Sequence, residues 1–397
     1  ATTQTRANND ANATDEEATV KTVDVYLYTG TGAYLSHESL TATDFAQVTP
    51  GTSEEKYEAK TKIKTTTGPK NIFVGINLPA ALASSLENKP MNDLFTDDKV
   101  FTKAELTTPI NGLPMFSKQT VSQVLVEDDT KNDVSIPVHR MVAKVTVEKS
   151  ASMTQGGVPG TLGELQFAIN NFNSKSFLVQ GIAPDIKDPN WDTYDVADFI
   201  PAETADYATV LDRATTATPT ISQYVARYAS ENTSKDKKKL EITRVTVRTT
   251  FIPDNITVSD GAGGFKSSTA TAEGILAPQT FYTVLEPTTF STLYFYDKTL
   301  AEAYAATKGL TADKVIEYPD GYCYWDMFLN KNSTANKWDV VRNDFYKCSI
   351  TRIVAPGHAT PEVSNPDESP DTETNISVNI EVSFWNTPVL ADYELEP

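Results

Sequence analysis

Ile376-Ser-Val-Asn-Ile-Glu-Val-Ser-Phe384, followed by Trp385, is the stretch that decides the fold class. Apolar residues stand at 376, 378, 380, 382 and 384, and Ser377, Asn379, Glu381 and Ser383 fill the gaps. A period of two makes one face of an extended strand apolar and leaves the other wet. After Asn386-Thr-Pro388 a shorter run begins, in which Val389, Ala391, Tyr393 and Leu395 alternate with Leu390, Asp392, Glu394 and Glu396. This last run reads as a free strand with one apolar edge. Such a strand either packs on its own domain or completes the sheet of a neighbour.

Working outward, the same alternation recurs along the chain. Val23, Val25 and Leu27 alternate with Asp24, Tyr26 and Tyr28, and the run stops at the turn signal Thr29-Gly-Thr-Gly32. Ile72, Val74, Ile76 and Leu78 form a second strand, after which Pro79 opens a short helix expected over 80–87. The charged stretch Glu127–Asp133 is read as a domain boundary, giving an N-terminal domain of residues 1–134 and a C-terminal domain of 135–397. Pro137 to Val147 reads as one continuous strand opening the second domain. Residues 184–240 read as a long insertion with one helix near Ile221 to Tyr228, and Lys235, Lys237, Lys238 and Lys239 as a solvated loop. Strands resume at Thr243–Phe251, Leu293–Tyr296, Tyr322–Leu329 and Phe345–Val354, with a surface helix at Thr299–Lys308. Gly261-Ala-Gly-Gly264 reads as a hairpin loop. Residues 7–18 are polar and acidic, a composition that reads as mobile. Many short strands, few short helices and turn signals between them indicate an all-β sandwich architecture.

Composition narrows the function classes. The chain has 397 residues, enough for two or three domains, and is 39% apolar. Its net charge of -19 repels phosphate, which argues against nucleic acid and against an anionic bilayer as direct partners. No segment approaches the ~20 consecutive apolar residues of a membrane span. The polar start Ala1-Thr-Thr-Gln-Thr-Arg6 reads as that of a processed or truncated chain, with export directed by residues outside it.

The search for chemistry returns little. His37, His139 and His358 are far apart and none has zinc-ligand spacing. The chain lacks a Gly-x-Ser-x-Gly elbow and a phosphate-binding Gly-x-x-x-x-Gly-Lys-Ser/Thr loop. No catalytic residue, metal site or cofactor is indicated, and the reading is of a protein that is not an enzyme. Two cysteines are too few for a disulfide scaffold. Tyr322–Trp325 and Tyr346–Ile350 read as a hairpin around the polar loop 330–336, which would set Cys323 opposite Cys348 within reach of a disulfide. Two buried free thiols are the other reading.

Several pieces together resemble one family. They are Arg6-Ala7 before an acidic spacer, Val23-Asp-Val-Tyr-Leu-Tyr28, Asn71-Ile-Phe-Val-Gly-Ile-Asn77, Pro114-Met-Phe-Ser117, and His139-Arg-Met-Val-Ala-Lys-Val145. Tyr322-Cys-Tyr-Trp325, Val341-Arg-Asn-Asp-Phe-Tyr346 and Val378-Asn-Ile-Glu-Val-Ser-Phe-Trp385 complete the series. In this order they resemble the fimbrillins of the Bacteroidales, the type V pilin subunits, and more closely the stalk subunit of the minor, short fimbriae. The resemblance implies two transthyretin-like Greek-key β-sandwich domains in tandem. It implies export as an outer-membrane lipoprotein precursor and residence in a fimbrium on the cell surface. It also implies an Arg-specific protease cutting after Arg6, with Ala7 as the new end, and loss of a strand ahead of the cut. Only five residues precede Arg6, so most of that strand is expected to lie outside this sequence. The vacated groove in the first domain would accept Val389, Ala391, Tyr393 and Leu395 from another copy. Partners would be further copies of the chain, accessory fimbrial subunits and a host or bacterial surface ligand. Other readings are a tip or accessory adhesin, and a surface glycan-binding protein in which Trp191, Trp325, Trp338 or Trp385 stacks on sugar.

Overall fold

Strands dominate the structure, a computed structural model, because the period-two runs find partners in sheets. The description covers the chain except residues 1, 6–13, 48–54, 61, 110–111, 128–131, 156–158, 182–185, 331–332, 335, 354, 364, 371–375 and 385–397, and is of backbone alone at 2–5, 15, 18, 47, 55–58 and 376–384.

The first sheet runs in the order Tyr34–Thr41, Thr22–Thr29, Gly68–Ile76, Met115–Ser117, Ser135–Arg140, Thr2–Thr5, Glu55–Ala59, Phe45–Gln47, with Val121–Leu125 also on Gly68–Ile76. Its alternation feeds two cores. Val23, Val25, Leu27, Ile72, Val74 and Ile76 point into a small cluster with Met115, Val134, Ile136 and Val138. Tyr26, Tyr28 and Phe73, on the opposite face, join the main core. The short helix Ala80–Ser85 follows Pro79 as the sequence predicts.

A second sheet runs Leu211–Asp212, Val142–Gln155, Asp344–Ile353, Ile376–Phe384, with Ala226–Ser230 also on Val142–Gln155. A third is built on Arg244–Pro253, flanked by Gln166–Asn170 and Tyr322–Phe328. Val145, Val147, Phe345 and Ile350 from the second sheet and Phe167, Val245, Val247, Trp325 and Met327 from the third share the main core. A three-stranded ribbon, Thr292–Phe295, Phe281–Leu285 and Val315–Tyr318, carries the helix Lys298–Thr307, which buries Ala301, Tyr304 and Ala305. Gly261–Gly264 does close a hairpin, between Asn255–Ser259 and Phe265–Thr269.

Four expectations change. The run from Pro137 to Val147 is two strands. Ser135–Arg140 stays in the first sheet, and the chain passes at Met141 into Val142–Gln155 of the second. Tyr322–Phe328 and Asp344–Ile353 are not a hairpin but belong to different sheets, so Cys323 and Cys348 are both buried and free. Each strand has a longer partner elsewhere, Arg244–Pro253 and Val142–Gln155 respectively, and that pairing outweighs the local turn. Burial pushes both thiols up to about 12. Ile221–Gln223 is a single 3-10 turn, and Ala226–Ser230 is a strand, because it supplies the antiparallel neighbour of Val142–Thr146. The lysine cluster is not wholly solvated. Lys239 is buried near Glu368 at 3.8 Å, Lys237 pairs with Asp339, and Lys235 lies 5.6 Å from the Trp191 ring.

The motif Arg342-Asn-Asp-x-Tyr346 gains a physical reason. Arg342 pairs in the interior with Glu231, Nη2 to Oε2 at 3.0 Å, and donates to the carbonyls of Phe177 and Leu178 at 2.8 and 3.1 Å. Asn343 takes a positive φ of 64°, and its Oδ1 accepts from the Arg140 N–H at 3.3 Å. The Tyr346 hydroxyl accepts from the Val341 N–H at 3.1 Å. Beside this network lies Asp188, whose carboxylate accepts from the Asn190 N–H at 2.6 Å and from Thr233. Burial pushes the Asp188 carboxyl up to about 7, against the pull of those donors and with the charge of Glu231 adding to it.

The folded chain therefore favours protonated Asp188. That contribution is complete below the unfolded pKa of about 4 and is lost as pH rises through about 7, a change of roughly 4 kcal/mol at most. Asp188→Asn should gain thermal stability relative to the parent as pH rises from 4 to 7, with the difference level above 8. Thermal unfolding of both proteins across that range measures it, and a difference independent of pH contradicts the burial.

Candidate strand-acceptor site

The chain's first described strand fills a slot. Thr2–Gln4 runs parallel to Ser135–Pro137, and Thr2–Thr5 runs antiparallel to Glu55–Glu58. A four-residue strand is thus in place ahead of Arg6, although most of that strand was expected to lie outside the sequence. Its hold is slight. Pro137 stands on one flank and has no N–H to donate to the ladder. At Pro137 the strand Ser135–Arg140 also changes neighbour, since Val138–Arg140 pair with Met115–Ser117 instead.

The sheet beside the slot carries an apolar groove. It has a volume of about 490 Å³ and is lined by Val25, Leu27, Ile63, Ile72, Leu125 and Val134, with Lys62, Lys64, Glu127 and Asp133 around it. Four of these residues, Val25, Leu27, Ile72 and Val134, belong to the small core. The groove floor is therefore the inner face of the first sheet. Val124 and Val126 beside it are 61% and 43% exposed, far more than strand valines elsewhere in this sheet. A floor of apolar strand side chains suits an extended strand better than a rounded ligand.

Within the segment read as mobile, the described residues from Thr14 onward form an ordered turn. Asp15–Ala18 is a one-turn helix capped by the Thr14 hydroxyl, and Glu17 Oε2 accepts in return from the Thr14 N–H at 2.8 Å. Glu17 is buried, with Oε2 2.7 Å from the Lys144 ammonium and Oε1 accepting from the Tyr228 hydroxyl at 2.7 Å. Sequence reasoning missed it, because a lone Glu in an acidic stretch carries no sign that its partners lie more than a hundred residues away. The one available signal was the capping pattern Thr14-x-x-Glu17.

At the other end of the chain, Ile376–Phe384 pairs antiparallel with Asp344–Ile353 as the terminal strand of its sheet. A strap precedes it. Tyr324 and His358 exchange backbone hydrogen bonds at 2.9 and 2.7 Å, Trp325 Nε1 donates to the Ala355 carbonyl at 3.2 Å, and Arg244 donates to that of Pro361 at 3.1 Å. Gly357 is required there, since a Cβ would stand 2.0 Å from the Tyr324 carbonyl oxygen. The processing residues Arg6 and Ala7 and the donor residues Val389, Ala391, Tyr393 and Leu395 lie outside the described residues, as does Trp385. Trp325 and Trp338 are buried and cannot stack on sugar. Among the described residues no group of three or more His, Cys, Asp or Glu could hold a metal ion, and no helix is long and apolar enough to cross a membrane.

A short strand thus completes the first sheet, and that sheet carries an apolar groove. The family model described as Major fimbrial subunit protein (FimA) matches residues 1–160, and the one described as Major fimbrial subunit protein type IV, Fimbrillin, C-terminal matches 316–389. The chain belongs to this fimbrillin family. A solved proposed cell adhesion protein from Bacteroides eggerthii is 13% identical, with 97% of this chain and 95% of that one covered and a TM-score of 0.51. That likeness establishes a shared fold. A fimbrilin (FimA) from Porphyromonas gingivalis is 14% identical over 97% of each chain, with a TM-score of 0.49. The tip fimbrial protein Mfa3 of the same organism is 16% identical over 97% of this chain and 98% of its own, with a TM-score of 0.40. No curated protein sequence matches.

The slot predicts a simple experiment. A chain that starts at Ala7 should stay folded, melt a few degrees lower and bind an environment-sensitive apolar dye several-fold more strongly than the full chain. Equal dye binding means that the Thr2–Thr5 strand does not cover the groove.

Proposed function

We propose that this fimbrial subunit is a stalk subunit that polymerises by donor-strand exchange under proteolytic control. In this reading it reaches the cell surface as an outer-membrane lipoprotein precursor. An Arg-specific protease cuts after Arg6, and the strand Thr2–Thr5 leaves the slot. The acceptor is the sandwich of residues 1–134, completed by the strand Ser135–Arg140. The donor is the tail of another copy, with Val389, Ala391, Tyr393 and Leu395 turned to the groove from the sandwich of residues 135–397. Accessory fimbrial subunits would use the same slot, and the assembled fibre would present the surface that meets a host or bacterial ligand.

The observation that carries the reading is the position of Thr2–Thr5, immediately ahead of Arg6 and bridging Ser135–Pro137 and Glu55–Glu58 within the first sheet. Emptying the slot takes one ladder partner away from Ser135–Pro137 and from Glu55–Glu58, in a sheet that carries an apolar groove. A donor strand satisfies both needs at once. Its three larger side chains, Val389, Tyr393 and Leu395, at ~1.5–3 kcal/mol each, supply roughly 5–9 kcal/mol before ordering costs, with Ala391 adding less than about 1 kcal/mol. The strand it displaces is Thr-Thr-Gln-Thr, which has no large apolar side chain to offer. The exchange is downhill for that reason. A contact between one copy's tail and the next copy's groove is head-to-tail and propagates as a filament.

Deletion of Val389–Pro397 should give a folded monomer that is still cut at Arg6 but forms no fibres. Arg6→Ala should remain uncut and monomeric. Electron microscopy after treatment with an Arg-specific protease reads both. Normal fibres from the truncation remove the tail from the mechanism, and normal fibres from Arg6→Ala remove the cut.

A further inference from the structure

The residues on either side of the processing position are held by different physics. Ahead of it, Thr2–Thr5 is held by a short backbone ladder that Pro137 interrupts. Behind it, Glu17 is sunk among charged and polar partners from three strands. Lys144 from Val142–Gln155 binds Oε2 at 2.7 Å, and the two side chains are each 1% exposed. Tyr228 from Ala226–Ser230 binds Oε1. Arg140 from Ser135–Arg140 donates Nε and Nη2 to the Glu17 carbonyl oxygen at 3.3 Å. Lys144 also lies 5.1 Å from the centre of the Phe345 ring. Two residues on, the Thr19 carbonyl accepts from Asn77 Nδ2 at 2.7 Å, and Asn77 Oδ1 accepts from the Lys21 N–H at 2.8 Å.

We propose that Glu17, with Lys144, Tyr228 and Arg140, is a clasp that keeps residues 14–22 seated while the strand ahead of Arg6 is released, so that processing empties one slot and nothing more. The inference rests on the strand-exchange reading for its purpose, but not for its measurement. Without such a hold, removal of Thr2–Thr5 would let the chain peel onward from its new end into the Thr22–Thr29 strand, which is central to both cores. Removing one member of a buried charge pair leaves the other without compensation, so a buried pair releases far less readily than a solvated one. The clasp also crosses the passage at Met141. Arg140 belongs to the first sheet and Lys144 to the second, so a single residue near the N terminus reports to both.

Hydrogen exchange, read by mass spectrometry on the full chain before and after cleavage at Arg6, tests the clasp. Peptides from 55–59 and 135–140 should lose protection on cleavage, while 14–22 keeps it. In Glu17→Gln, which retains the shape but not the charge, 14–22 should exchange at least tenfold faster in the uncut chain, and trypsin should cut after Lys21. Loss of protection at 14–22 together with 135–140 in the cleaved parent overturns the clasp, as does unchanged exchange in a folded Glu17→Gln. Should that variant not fold, the parent measurement decides alone. If 55–59 and 135–140 do not change on cleavage, the strand-exchange reading fails, and the comparison of uncut parent with uncut Glu17→Gln still judges the clasp.

Discussion

A strand cannot leave its backbone donors and acceptors buried and unmet, and in this chain that requirement converges on Ser135–Arg140. Its second half is satisfied by Met115–Ser117, its first half by Thr2–Gln4, and Pro137 marks the change. Its side chains Ile136 and Val138 meanwhile close the small core. The whole first sheet is continuous only because these few residues serve two neighbours. The slotted strand and the passage into the second sheet both meet at this segment.

Charged side chains are buried at the junctions between elements as well as spread over the surface. The net charge of -19 is carried by the surface, while two interior pairs, Glu17 with Lys144 and Glu231 with Arg342, stand where separate elements must meet. Each pair is further satisfied by hydroxyl or carbonyl groups, which is the condition under which a buried pair is tolerable. The first fixes the N-terminal segment to two sheets. The second joins the segment after Tyr228 to the start of Asp344–Ile353, the strand on which Ile376–Phe384 lies.

Much of the architecture was legible because it is written locally. The alternation at Val23–Tyr28, Ile72–Ile76 and Ile376–Phe384 needs only the chain itself, and so do Pro79 at a helix start and the glycines at 261–264. What could not be read is partnership. Cys323 and Cys348 look like hairpin mates until Arg244–Pro253 and Val142–Gln155 claim their strands. Ala226–Ser230 has a helical appearance and becomes extended because Val142–Thr146 lacks an antiparallel neighbour. Glu17 was hidden in a polar stretch whose composition suggests solvent. Of the candidate site, the groove-lining valines and isoleucines were visible as strand residues, but not as one surface. Tertiary contacts decide such cases, and spacing along the chain does not encode them.

The slotted strand is gripped along both of its edges, by one neighbour running with it and one running against it. Ladder bonds of this kind lie across the strand direction. A pull along the strand therefore loads every bond in shear at the same moment, whereas a sideways lift would unzip them one by one. A fibre linked through this slot would resist tension along its axis and be vulnerable to peeling.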